Sequence, residues 1–226
     1  MRITYYGHSC FGVHISGKNL LFDPFIKGNP LATNIDVSQV PADVILVSHA
    51  HSDHIGDAVD IAKRTGATLI GIWEVMFWFE QQGLKDVLKL NVGGGWKFDF
   101  GKVKLVNAVH TSRFSDGTNG GNPCGFYITS AEGNFYFAGD TALHYDMKLL
   151  GKHAKVDFAF LPIGDVYTMD ADDALIASKY IKCDKVIGMH FDSFDVIKID
   201  HEYALNAFAS QDKKLYLMKV GEEMEM

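Results

Sequence analysis

Residues 44–54 read VILVSHAHSDH, an apolar run that ends at a serine and is followed at once by metal-binding residue types. Within six positions come three histidines and one aspartate, namely His49, His51, Asp53 and His54. Histidine and aspartate are mostly not core residues, and imidazole with carboxylate suits zinc, iron or manganese. His49 and His51 lie on the same side of an extended backbone, because side chains alternate along a strand. Asp53 and His54 follow where the chain turns away, so the stretch predicts half of a two-metal site.

Three more polar residues stand where later β-strand patterns end, and these are His110, Asp140 and His190. The strand patterns that precede them are residues 102–109, 134–139 and 185–189. A lone histidine at a strand end is more often an ordinary surface residue, so each residue is weak evidence by itself. Together with the first four they give five histidines and two aspartates, enough ligands for two metal sites with room for water.

The composition is that of a globular chain that forms one domain over residues 1–226. Hydrophobic residues make up 47% of it, and no apolar run approaches the roughly 18 residues of a membrane span. The net charge of −7 repels nucleic acid, so the expected partner is a small-molecule substrate rather than nucleic acid or a membrane. Three distant cysteines (Cys10, Cys124 and Cys183) and a start without a signal-peptide pattern predict a cytoplasmic location.

The order of strand and helix patterns predicts an α/β fold with an internal repeat. Residues 19–22 form a strand that leads to Asp23, and residues 134–138 form one that leads to Asp140. In both halves an apolar strand and then a helix come next. This repeat indicates two β-sheets packed face to face with helices outside, and a site where strand ends from both halves meet.

Residues 72–79 read IWEVMFWF and are typical of a helix that is apolar nearly all round. Such a helix is usually buried, so packing into the core is the first interpretation. Because the helix has few polar residues, some of Trp73, Phe77 and Trp78 are expected to meet either the rest of the sandwich or another subunit. Part of the helix is therefore also expected to reach a homo-oligomer interface. The wall of an apolar pocket is the remaining alternative.

The hexapeptide HAHSDH at residues 49–54 matches a His-x-His-x-Asp-His signature, through which the chain resembles the metallo-β-lactamase superfamily. The three later strand-end residues follow in the order of that superfamily. The nearer likeness is to a branch of small bacterial and archaeal metal-dependent hydrolases, and ascorbate-6-phosphate lactonase is similar more distantly. Gly188, where proline is expected in this branch, and residues 165–167 depart from it, which bears on the substrate. The segments that carry the likeness are residues 6–11, 22–25, 28–31, 161–164, 168–169 and 189–191.

The resemblance implies a four-layer αββα sandwich, with two mixed β-sheets flanked by helices, and two divalent metal ions. Zinc is the expected ion, and manganese and iron are the alternatives. The implied ligands of the first ion are His49, His51 and His110. Those of the second are Asp53, His54 and His190, and Asp140 bridges the two. A hydroxide between the ions would then attack an ester, a lactone or a phosphoester of a small molecule.

Two residues are candidates for catalysis. Asp53 is expected to orient the attacking water or accept its proton, and His8 is expected to contact the substrate or donate a proton. A structural, hydrogen-bonded role is the alternative for His8. Asp23 is the candidate to hold a ligating imidazole in place, with an Asp-Pro turn cap as its alternative. A phosphodiesterase or ribonuclease, a di-iron redox protein and a metal-binding protein without catalysis are the competing functions.

Overall fold

The computed structural model describes all of residues 1–226, with fourteen β-strands, six α-helices and two short 3₁₀-helices. The strands are β1 (Arg2–Gly7), β2 (Cys10–Ile15), β3 (Lys18–Phe22), β4 (Val44–Val47), β5 (Thr68–Ile72), β6 (Val87–Leu90), β7 (Gly95–Phe98), β8 (Gly101–Asn107), β9 (Cys124–Ser130), β10 (Gly133–Phe137), β11 (Phe158–Pro162), β12 (Lys185–Met189), β13 (Lys214–Tyr216) and β14 (Glu223–Glu225). The helices are α1 (Ser52–Ile55), α2 (Ala58–Thr65), α3 (Trp73–Gln81), α4 (Met147–His153), α5 (Ala171–Tyr180) and α6 (His201–Ala209). The 3₁₀-helices are Val37–Gln39 and Asp195–Ile197.

The strands form two mixed sheets of seven strands each. The order in the first sheet is β14-β1-β2-β3-β4-β5-β6, and the order in the second is β13-β12-β11-β10-β9-β8-β7. In the first sheet, α2 and α3 connect neighbouring parallel strands, and in the second α4, α5 and α6 do the same. The predicted α/β sandwich with helices on the outside is therefore confirmed.

The internal repeat is visible in the strand pairing and in single hydrogen bonds. An antiparallel pair is followed by three parallel pairings in each sheet, from β2 to β6 and from β9 to β13. The backbone N–H of Asn19 donates to the carboxylate of Asp43 at 2.8 Å, and that of Asn134 donates to Asp157 at 2.9 Å. The same polar contact therefore begins the parallel part of each half.

Phenylalanine rings hold the two sheets together. Phe22 stacks on Phe137 and Phe11 contacts Phe160, each with ring centroids 4.7 Å apart. All four side chains are fully buried, and burial of one such ring stabilises the fold by about 2–3 kcal/mol. All four residues of β4 are buried, as the apolar run before the histidine motif predicts. The strand ends are thus fixed by a packed interior.

The helices mostly follow the sequence patterns. The helical segment that follows β4 is broken into α1 and α2 at Gly56. Asp170 caps α5, because its carboxylate accepts the N–H of Asp173 at 2.7 Å. None of the six helices has the length and apolar character needed to cross a bilayer.

Helix α3 is only partly buried. Its core face is formed by Val75, Met76 and Phe79. Trp78 stacks on Phe114 at 4.7 Å, so the core interpretation holds for these residues. Trp73 and Phe77, one turn apart, remain about half exposed, and the ammonium of Lys89 lies over both rings.

We expect this exposed pair to mediate self-association of the chain, because pairing of two copies would remove both rings from water. Trp73→Glu or Phe77→Glu should convert dimers into monomers in light scattering. Tyr145→Glu, at an exposed aromatic residue just before α4, is the control and should leave the dimer intact. A wild-type chain that is already monomeric at micromolar concentration would contradict the expectation.

Candidate active site

The candidate site lies at one edge of the sandwich, where strands of both sheets end. In the first sheet β1, β3 and β4 run in one direction, as do β8, β10 and β12 in the second. The residues within three positions of these strand ends include His8, Asp23, His49, His110, Asp140 and His190. The N–H of His190 donates to the carbonyl oxygen of His8 at 3.0 Å, which joins the two sheets at this edge. Tertiary packing therefore collects polar residues from both halves.

One group in the cluster consists of three histidines. The ligand atoms of His49, His51 and His110 all lie within 4.8 Å of one another. His49 Nε2 is 2.9 Å from His51 Nδ1, so ring nitrogens of these two residues face a common point. Asp140 borders the group, with its Oδ2 3.6 Å from His110 Nε2 and 3.9 Å from His49 Nε2. This is the set predicted for a first metal ion.

A second group adjoins the first. Its ligand atoms, again within 4.8 Å of one another, belong to His8, Asp53, His54 and His190. Asp140 Oδ2 is 3.2 Å from His54 Nε2 and 3.0 Å from His190 Nε2, so this carboxylate lies between the two groups. All seven predicted ligands, together with His8, are therefore in one place.

The ligand atoms of the cluster are not fully paired by hydrogen bonds, and their separations suit metal ions. His54 Nε2 and Asp140 Oδ1 are buried without a hydrogen-bond partner, which is costly for a polar atom. Two ligands bound at about 2.1 Å to one ion stand roughly 3–4 Å apart, depending on their angle. The separations across Asp140, between 3.0 and 3.9 Å, match that spacing. The residues present therefore suit two cations.

The charges of the cluster also favour a cation. Burial alone lowers the pKa of His54, but Asp140, Asp23 and Asp53 outweigh it and hold the pKa well above the ordinary value. Burial likewise raises the pKa of Asp140, yet His190 and His54 bring it well below its usual range. Positive charge at the centre is thus strongly stabilised by the surrounding carboxylates, and a bound metal ion would replace the His54 proton.

The pKa values of His49 and His8 are shifted in the opposite direction to that of His54. Burial, followed by the positive neighbour His54, lowers the pKa of His49 well below the ordinary value. Burial and His190 lower the pKa of His8 to about 4. Both rings are therefore neutral near pH 7 and keep a lone pair that can bind a metal ion.

Asp23 orients His54 directly and His49 through Ser48. Its buried carboxylate accepts the backbone N–H of Ser48 at 2.7 Å, the Ser48 hydroxyl at 2.6 Å and the Nδ1–H of His54 at 2.8 Å. The Ser48 oxygen in turn lies 2.9 Å from His49 Nδ1 and accepts its proton, because its own hydrogen goes to Asp23. Nδ1 of both histidines is thus engaged, so Nε2 is left to face the cluster. These are the contacts that the expected supporting role of Asp23 requires.

Unusual backbone turns the strand-end side chains into the site. His8, Asp23 and His190 have φ angles of 56°, 40° and 56°, a left-handed conformation that costs non-glycine residues on the order of 1 kcal/mol each. Gly139, with φ of 64°, precedes Asp140, and a Cβ there would stand 2.9 Å from the Cβ of Ser48. Only glycine lets the Asp140 loop approach the end of β4 so closely.

The sequence patterns missed several supporting residues. Ser193 Oγ lies 3.0 Å from His8 Nδ1. Thr141 Oγ1 accepts the N–H of Val109 at 2.9 Å, next to a predicted ligand. Neither has a local signal, whereas Ser48 could have been noticed because it separates the apolar run from the histidine motif.

A separate cavity of about 450 Å³ lies away from the cluster, beside β8, β9, β10 and α4. Its lining is mainly apolar, with Lys104, Asn107 and His144 among the polar members. None of the predicted ligands lines it. The chemistry that can activate a substrate is at the sheet edge, and we therefore place the candidate active site there.

The chain is similar to several proteins of known sequence or structure. The model of a family described as "Beta-lactamase superfamily domain" matches residues 2–190. A "UPF0173 metal-dependent hydrolase" of Flavobacterium johnsoniae is 49% identical over 226 residues, and one of Christiangramia forsetii is 49% identical over 227, each covering 100% of both chains. The solved structure of Igni18, described as a novel metallo hydrolase from Ignicoccus hospitalis, is similar with a TM-score of 0.89 and 33% identity, over 100% of this chain and 98% of that chain.

Asp23→Asn should weaken metal binding at the second group by roughly 10- to 100-fold, because the amide cannot accept all three hydrogen bonds. The affinity is measured by competition with a coloured chelator. Asp43→Asn removes a carboxylate that also accepts a backbone N–H, but far from the cluster, and serves as the matched control. Equal affinities in the two variants would show that Asp23 does not support the ligands.

Proposed function

The chain belongs to the β-lactamase superfamily, within the UPF0173 family of metal-dependent hydrolases, and we propose that it uses two divalent metal ions to hydrolyse an ester, lactone or phosphoester bond of a small molecule. The observation that carries this proposal is the convergence of five histidines and two aspartates, with unpartnered donor atoms, at one sheet edge. We assign His49, His51 and His110 to one ion. We assign Asp53, His54 and His190 to the other, and Asp140 to both. Zinc is the expected ion, and manganese and iron are the alternatives.

The ions would supply Lewis acidity to the substrate oxygen and to a water molecule. Asp53 is the more accessible carboxylate, since 25% of its side chain is exposed against 2% for Asp140. Burial raises the pKa of Asp53, but His54 and His8 outweigh it and keep the group ionised near pH 7. Asp53 can therefore accept a hydrogen bond from water and orient it. His8, in contact with Asp53, completes this side of the site.

Aromatic side chains beside the second group support a small organic substrate. The rings of Phe25 and Phe194 lie with their centroids 5.7 Å and 5.6 Å from that of His8. Phe194 is partly exposed, so it offers an apolar surface next to the metal ligands. The net charge of −7 is unfavourable for a nucleic acid substrate.

No cysteine is placed to act as the nucleophile. All three cysteines are buried and free, outside the cluster. Burial raises the pKa of the Cys10 and Cys124 thiols, and it raises the pKa of Cys183 to about 11. Thiols kept protonated in this way are unreactive, and free thiols are consistent with the cytoplasmic location that we propose.

Reconstituted protein should hold about two metal ions per chain, because the donor set divides into two groups around Asp140. Elemental analysis after loading with zinc, manganese or iron measures this number. His49→Ala should reduce it, whereas His201→Ala, at an exposed histidine outside the cluster, should not. A wild type that holds less than one ion, with His49→Ala unchanged, would refute the two-metal site.

His51→Ala and Asp140→Ala should each remove nearly all metal-dependent hydrolysis without unfolding the chain, since both residues lie on loops at strand ends. The measurement is turnover on a panel of lactones, esters, thioesters, phosphodiesters and β-lactams. Cys124→Ala and Cys183→Ala are the controls and should retain activity. If a cysteine variant abolished turnover and Asp140→Ala did not, the assignment of the nucleophile would be wrong. Fully loaded protein without turnover on the whole panel would favour a metal-binding role without catalysis.

A further inference from the structure

We propose that His8 is a further protein ligand of the ion held by Asp53, His54 and His190, and that Ser193 fixes its ring for this task. The inference rests on the proposed two-metal site and adds a ligand from the turn between β1 and β2. His8 is fully buried, although it is polar and lies at the end of a strand. A buried imidazole needs partners for both ring nitrogens, and the partners of His8 identify its role.

The position of His8 Nε2 is that of a neighbouring ligand on a shared ion. It lies 3.1 Å from Asp53 Oδ2, and its ligand atom is within 4.8 Å of those of His54 and His190. Two ligands bound at about 2.1 Å and at a right angle stand roughly 3 Å apart. The rings of His8 and His190 also lie 4.1 Å apart, so both reach the same point from different sheets.

The backbone holds His8 at this point. Its carbonyl oxygen accepts the N–H of His190 at 3.0 Å and the hydroxyl of Tyr5 at 3.2 Å. The φ angle of 56° at His8 turns the side chain out of β1 and into the cluster. Because His8 and His190 are tied through the backbone, the two imidazoles are held at a set separation before any ion binds.

The hydrogen of Ser193 decides which nitrogen of His8 carries the proton. Ser193 Oγ lies 3.0 Å from His8 Nδ1 and 3.3 Å from the carbonyl oxygen of Phe191. The hydroxyl has one hydrogen. If it is donated to Phe191, the oxygen accepts Nδ1–H, and Nε2 presents a lone pair toward the carboxylate of Asp53. Two acceptors 3.1 Å apart repel each other unless a cation lies beside them.

The alternative arrangement suits the metal-free protein. The Ser193 hydroxyl then donates to Nδ1, and Nε2–H donates to Asp53. Metal binding therefore exchanges the two tautomers of a neutral ring: Nε2 loses its hydrogen, Nδ1 gains one, and the serine hydroxyl rotates toward Phe191. No net proton is gained or lost by His8 in this exchange.

Two consequences follow for the site. A ligating Nε2 has no hydrogen to give, so His8 would position the ion rather than donate a proton to the leaving group. The second ion would have five protein ligands: His8, Asp53, His54, His190 and Asp140.

The test uses the full chain loaded with Co²⁺, whose visible absorption strengthens as its coordination number falls. His8→Ala should weaken binding of one of the two Co²⁺ ions, leave the other unchanged and strengthen the absorption. Ser193→Ala should weaken binding of the same Co²⁺ ion by about tenfold or more, while the absorption of the loaded variant stays close to that of the wild type. His8→Gln keeps a polar side chain and replaces His8→Ala in the test if that variant does not fold. His14→Ala is the matched control, since His14 bonds Asn19 away from the cluster.

The outcomes separate this inference from the proposed function. Two Co²⁺ ions bound by His8→Ala or His8→Gln with wild-type affinity and absorption would overturn the ligand role of His8, even if thermal stability fell. A wild type that binds fewer than two ions would overturn the two-metal site itself. Binding of two ions without hydrolysis would contradict the proposed activity but leave the role of His8 intact.

Discussion

The buried carboxylate of Asp23 is the contact on which the arrangement of the site depends. A charge at this depth is costly unless it is fully paired, and Asp23 meets that need by accepting two hydrogen bonds from Ser48 and one from His54. The partners that make its burial tolerable are the groups that aim His49 and His54 into the cluster. Folding therefore also positions the metal ligands, because the Asp23 carboxylate at the end of β3 is buried only when the loop after β4 is in place.

The repeated topology supplies the rest of the cluster. Each half ends its parallel strands at the same edge, and the phenylalanine contacts between sheets fix the two edges against each other. The ligands thus come from segments that share no sequence neighbourhood yet lie on rigid supports. Left-handed backbone at His8, Asp23 and His190 is the local strain that this convergence requires. Packing of the core can hold such strain because it stabilises the fold by far more than the strain costs.

The histidines of the cluster differ in charge according to their surroundings. Three carboxylates surround His54 and favour positive charge there, while His49 and His8 are kept neutral by burial. The centre therefore attracts cations and the surrounding imidazoles offer lone pairs. The contact between His8 and Ser193 has a related effect. The Ser193 hydroxyl can donate to His8 Nδ1 or to the carbonyl oxygen of Phe191, so the His8 ring suits both the metal-free and the metal-bound protein.

The sequence by itself determined the buried strand β4, the sandwich with its repeat, and the seven residues that meet at the sheet edge. These features have local signals: an apolar run, strand ends, and tightly spaced histidines. Even so, the strand expected to reach Val109 ends at Asn107, and the N–H of Val109 donates to the side chain of Thr141. Only tertiary structure decided that Ser193 holds His8, 185 positions away, and that Trp73 stays exposed while Trp78 is packed. Such contacts depend on how segments distant in sequence pack against each other, and no periodicity within a short stretch can encode that.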